Sequence, residues 1–139
     1  AWLPTKTPAE FRQALCLSNE QTDAIRDLRG LLYDLPGLID QPVAQRKRRY
    51  AHDRFADALN GFRAANPSNE SADAIAKDRE QLAGDSIGLA PPPLLTGDEL
   101  IAAGHRPGPE FKTKLDTAYD AQLEGRITST AEALRWIEN

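Results

Sequence analysis

Apolar residues recur along the chain at helical spacings, and proline, glycine or a capping residue repeatedly interrupts them. Thr7-Pro8-Ala9-Glu10 reads as a capping box with proline at the first helical position. It opens a helix over about 8–16 with Phe11, Ala14 and Leu15 on one face. Ser18-Asn19-Glu20-Gln21 is a second box. It opens a helix over about 19–34 with the stripe Ile25, Leu28, Leu31, Leu32 and Leu35, closed by Pro36-Gly37. Pro42 starts a helix over about 42–51, in which Val43, Ala44 and Tyr50 are the less polar positions. After a break at His52-Asp53, with Asp53 as N-cap, Phe55, Ala58, Leu59 and Phe62 mark a helix over about 53–65. Asn66-Pro67 stops it, and Ser71 caps a polar helix to about Gly84 with Ile75 and Leu82 inward.

Beyond it, Pro91-Pro92-Pro93 favours stiff polyproline geometry. Thr96 and Glu99 form a further capping box, and Gly104 suits a left-handed C-terminal cap after Leu100-Ile101-Ala102-Ala103. Pro107-Gly108-Pro109 ends that short element and starts a helix over about 109–124, with the stripe Phe111, Leu115, Ala118, Tyr119 and Leu123 and with Gly125 as its cap. Ser129-Thr130-Ala131-Glu132 opens a last helix carrying Ala133, Leu134, Trp136 and Ile137. No segment alternates with period two, and no repeat of fixed period occurs. The expected fold is all-α: about seven to eight short helices in two lobes, with no sheet. A body-like helical lobe is placed at 1–83, a Pro-rich connector at 84–95 and a tail lobe at 96–139.

Composition narrows the function classes. The net charge of −4 excludes a globally basic nucleic-acid sponge. Residues 1–70 hold 10 Lys/Arg against 9 Asp/Glu, and 71–139 hold 7 against 12, so any nucleic-acid contact is expected to be local and mostly in the first half. Cys16 is the lone cysteine, which fits a reducing cytoplasm, the expected location. No apolar run approaches the roughly 20 residues of a membrane span, so no membrane partner is expected. The start Ala1-Trp2-Leu3-Pro4 lacks the pattern of a signal peptide and an initiator Met, and the chain reads as a piece of a longer protein.

Candidate chemistry is sparse. There is no C-x-x-C, H-E-x-x-H or G-x-x-x-x-G-K-[ST]. His52-Asp53 would need further His and Asp ligands to hold a metal, and the other histidine, His105, lies in a turn. No metal ligand and no catalytic residue is therefore expected. Cys16, between apolar neighbours, is expected as a core thiol. Asp98 and Glu99 complement a helix dipole. Arg46-Lys47-Arg48-Arg49, with Tyr50 and Arg54, is the concentrated basic run. It reads either as a phosphate-backbone patch with Tyr50 for stacking or as a solvated helix face. The turn around Gly104 and Gly108 either gathers N–H groups at a helix start, where a phosphate can sit, or simply reverses the chain between packed helices.

The stretch Pro92-Pro93-Leu94-Leu95-Thr96-Gly97-Asp98-Glu99-Leu100-Ile101 resembles the PPLLTGDDLI segment of bacterial tRNA nucleotidyltransferases and poly(A) polymerases. Its continuation, through Gly104, Pro107-Gly108-Pro109 and Phe111, is similar to that family's alGlkPGPxf. Residues 115–125 resemble its LdeayeaQLeG, and 128–134 its closing Ttreeal. Leu17-Ser18-Asn19-Glu20 and residues 46–64 are similar to helices of the family's body. The resemblance implies a C-terminal body-and-tail part that holds tRNA or other structured RNA by shape and backbone contacts. Its partners would be the catalytic head and neck of the parent protein. The head's metal-binding carboxylates and the neck cannot be placed on this chain, so the piece is expected to be inactive alone and to need no cofactor. In the family, Mg²⁺ and nucleoside triphosphates belong to the head, and the choice between CCA and poly(A) addition is made in the head and neck.

On this reading Arg46, Lys47, Arg48, Arg49 and Arg54 contact phosphates, while Gly104, Arg106 and Gly108 shape and charge the turn. A different class of function is a structural module for self-association, as a homodimer, or for interdomain docking, with Trp2, Trp136 and Ile137 as anchors. A free-standing enzyme is motivated only by His52-Asp53.

Overall fold

The computed structural model describes residues 8–138. Among them the chain is all-helical, with eight α-helices and no strand. The helices are α1 (Pro8–Leu15), α2 (Asn19–Asp34), α3 (Val43–Tyr50), α4 (Phe55–Ala65), α5 (Ser71–Ala83), α6 (Gly97–Ala102), α7 (Pro109–Leu123) and α8 (Thr130–Glu138). A 3-10 helix over Leu35–Asp40, absent from the sequence expectation, follows α2 directly. Pro36 lacks an N–H, so the α-helical ladder tightens there rather than stopping.

Local capping accounts for most helix boundaries. Ser18 Oγ accepts the Gln21 N–H at 3.1 Å, and Gln21 Oε1 accepts the Ser18 N–H at 2.9 Å. Thr96 and Glu99 form the same reciprocal box at α6. Gly104 (φ 92°) and Gly125 (φ 73°) both take the left-handed conformation. The N–H of His105 donates to Leu100 and that of Gly104 to Ile101, while Arg126 donates to Ala121 and Gly125 to Gln122. Both glycines thus close Schellman motifs. Three expected caps differ. The N-cap of α4 is Arg54 rather than Asp53, and His52 Nδ1 accepts the Arg54 N–H at 3.2 Å. Ser71 lies inside α5, its N–H held by Asn69 Oδ1 at 2.9 Å. At α8 half of the expected box forms, Ser129 Oγ accepting the Glu132 N–H at 3.3 Å, while the Glu132 carboxylate takes the N–H of Thr128 at 2.7 Å instead of that of Ser129. Thr7 and Trp2, and the side chain of Phe11, lie outside the described residues. Cys16 is exposed at φ 53°, just past the end of α1, and is not a core thiol.

The chain forms two compact units. One takes the described residues up to 41 together with 49–80, and the other takes 42–48 together with residues from 81 onward. In the first unit α2 packs on α1 and α4. Its core holds Leu31, Leu35, Leu38, Phe55, Leu59, Phe62 and Ile75. Tyr50 is also fully buried there, edge-on to Phe55 at 5.1 Å, and its hydroxyl donates to Asp78. In the second unit α7 packs on α8. Leu95, Leu100, Ala118, Ala121, Ile127 and Ala133 form its core, bordered by Phe111, Leu115, Leu134 and Ile137.

The proline stretch is part of this second unit. Gln122, buried on α7, accepts the Leu94 N–H and donates to the Pro92 carbonyl, both at 2.8 Å. Tyr119 donates to the Pro91 carbonyl at 3.0 Å, and Thr130 to the Leu94 carbonyl at 2.8 Å. Prolines cannot pair through their own N–H, so side chains satisfy the carbonyls that an extended proline run leaves open.

Candidate functional site

The turn between α6 and α7 brings together the three residues expected to shape it. Gly104 and Gly108 bracket the turn, and Arg106 is exposed between them. Gly108 is the N-cap of α7, with no side chain to accept the first N–H groups, and Pro109 opens the helix. A cleft of about 420 Å³ lies here, walled by His105, Arg106, Glu110, Phe111 and Lys114. Lys114 Nζ is 3.3 Å from His105 Nδ1. An ammonium only donates, so in this contact Nδ1 is on the accepting side. Two cations and an imidazole thus meet the positive end of α7, with Glu110 as the opposing carboxylate. His105 and Lys114 are absent from the sequence-derived set. Lys114 lies one turn into α7, so only the folded helix shows that it reaches the turn.

The basic run is dispersed by the fold. Lys47 has no exposed side-chain surface, and its Nζ lies 2.7 Å from Asp85 Oδ2. It cannot meet a phosphate in this fold. Arg48 Nε donates to Asp120 at 2.7 Å, and its guanidinium stands 4.9 Å over the Tyr119 ring. Its side chain is 38% exposed, and Asp116 lies 3.7 Å away. Arg49 pairs with Asp34 at 2.8 Å. Arg46 and Arg54 are half-buried. Tyr50 is buried and has no face left for stacking. A helix turns about 100° per residue, so successive cations point to different surroundings.

His52 gathers no metal site: among the described residues no three His, Cys, Asp or Glu side chains come together as ligands. No helix among them is long and apolar enough to cross a membrane. Trp136 is 37% exposed beneath the Arg126 guanidinium at 5.9 Å, and Ile137 is half-buried against the second unit's core. No protein-family model matches the chain, and no curated protein or solved structure matches it.

Proposed function

We propose that this chain is an RNA-holding accessory domain, with structured RNA of the tRNA class as its ligand and nucleotide addition carried by a head domain of a parent protein. The observation that supports it is the cleft at the start of α7. Arg106 and Lys114 offer charge there, with the His105 ring beside them, at an uncapped helix start. The resemblance of residues 92–134 to the tail of tRNA nucleotidyltransferases supplies the ligand class. In this reading Arg106, Gly104 and Gly108 keep their expected roles, Lys114 joins them, and Lys47 drops out. The test is a salt titration of tRNA binding by the chain and by an Arg106→Gln/Lys114→Gln variant. The plot of log K against log salt is expected to lose a slope of about 2 in the variant. Equal slopes would overturn the reading.

A second reading, a module for self-association or docking, has one observation in its favour. Lys47, Arg48 and Arg49 are engaged by carboxylates of the same chain. It predicts a concentration-dependent sedimentation coefficient; a fixed monomer value would remove self-association.

A further inference from the structure

A groove of about 580 Å³ on the first unit carries a chemistry that neither its core nor the turn before α7 uses. Arg26, Arg29, Gly30 and Tyr33 of α2 line it, with Arg49 and His52 across from them. Three guanidinium groups face it against two carboxylates, Asp27 and Asp34, in a chain that is acidic overall. Arg26 pairs with Asp23, the two side chains being 63% and 60% exposed, and Arg49 pairs with Asp34. Ion pairs in water contribute little and give way to a more highly charged acceptor that the guanidinium fork fits. Tyr33 is 74% exposed, a large aromatic side chain set on the groove.

Gly30 is the independent sign. It sits inside α2, at a negative φ, and a Cβ placed on it would meet no atom of the described residues within 4 Å. Neither packing nor backbone conformation asks for glycine, which weakens a helix interior relative to alanine. What glycine does supply is bare backbone in the groove, against which a ligand can close.

We propose that this groove is a nucleotide-binding subsite: Arg26, Arg29 and Arg49 take the phosphate oxygens, and the base stacks on Tyr33 over Gly30. Where the nucleotide is a unit of an RNA strand, the subsite rests on the RNA-holding reading; a free mononucleotide offers the same chemistry. Binding of a labelled single-stranded RNA oligonucleotide at low salt, followed by anisotropy, and an NMR titration with AMP separate the two sources. Tyr33→Ala is expected to weaken oligonucleotide binding about tenfold, and Arg49→Gln about fivefold. Gly30→Ala is expected to weaken it about fivefold while raising the Tm by about 3 °C, a combination that damage to the fold does not produce. AMP is expected to shift the amides of Arg26 to Tyr33. Groove variants that bind like the unaltered chain, with those amides unmoved by AMP, would overturn the subsite. Loss of RNA binding confined to the Arg106→Gln/Lys114→Gln variant, with the groove amides unmoved by AMP, overturns the subsite and leaves the RNA-holding reading standing. AMP bound in the groove with no RNA binding keeps the subsite as a free-nucleotide site and overturns the RNA-holding reading.

Discussion

The ammonium of Lys47, wholly out of solvent, lies 2.7 Å from the carboxylate of Asp85. Asp85 also accepts the N–H groups of Ile87 at 2.9 Å and Gly88 at 2.6 Å, so one carboxylate both neutralises a buried cation and shapes the segment that leads to the prolines. Removing it leaves a buried charge unpaired, which is more damaging than removing both partners. Because the Asp85 side chain is 34% exposed, solvent softens the penalty. Asp85→Ala is expected to destabilise by about 2 kcal/mol in chemical denaturation. The double variant Lys47→Met/Asp85→Ala should recover to within about 1 kcal/mol of the unaltered chain.

The same pair sets an acid limit. Burial pushes the Asp85 carboxyl up, but the Lys47 hydrogen bond and the N–H groups of Gly88 and Ile87 outweigh it and hold it below its ordinary value of 3.8. The folded state therefore binds fewer protons than the unfolded state. Its stabilisation is full above the ordinary value and is lost as pH falls through the folded one. Asp85→Asn should be less stable than the unaltered chain by a constant margin above about pH 5, and that margin should shrink below about pH 4. Glu132, lowered chiefly by the Thr128 N–H, shifts in the same direction but is exposed, so its share is minor.

Gly125 and Gly104 close their helices in the same way but in different surroundings. A Cβ on Gly125 would lie 3.1 Å from Ile87 Cδ1, whereas one on Gly104 meets open space. Gly104→Ala should cost about 1 kcal/mol, the left-handed penalty alone. Gly125→Ala should cost about 2 kcal/mol, since Ile87 must also give way. Equal losses in thermal denaturation would show that Ile87 repacks freely.

Gln122 carries two hydrogen bonds to the proline stretch from a buried position. Gln122→Leu leaves the Leu94 N–H and the Pro92 carbonyl without that partner, at an expected cost of about 2 kcal/mol. Hydrogen exchange locates the loss: the Leu94 amide should exchange faster, while amides in the middle of α2 keep their rates.

Much of this was legible because capping is written locally. Ser18 with Gln21, Thr96 with Glu99, and the glycines after α6 and α7 announce themselves within a few residues of the bonds they make. The all-helical class follows from the same signals. The burial of Lys47 and Tyr50 does not, because it depends on Asp85 and Asp78, which are distant in sequence and leave no periodic mark. Cys16 misled for a related reason: apolar neighbours suggest a core, but the helix ends just before it. At the candidate site Arg106 and the glycines could be read from the turn itself. Lys114 and His105 are joined only when α7 folds.

Arg48 offers a final test, because its charge is held by its own chain. Asp120 takes its Nε, Asp116 lies near its terminal nitrogen, and Tyr119 underlies its face. The Arg48, Asp120 and Asp116 side chains are 38%, 44% and 51% exposed, so each ion pair contributes under about 1 kcal/mol. Asp116→Asn/Asp120→Asn should therefore leave the fold intact while removing two negative charges and unmasking one positive one. If the chain holds RNA through phosphates, the variant should bind tRNA more tightly than the unaltered chain, about tenfold at low salt, with a salt slope steeper by about 1. If the domain serves only docking or self-association, tRNA binding should be absent in both. Weaker tRNA binding in the variant would mean that the carboxylates hold Arg48 in its productive position.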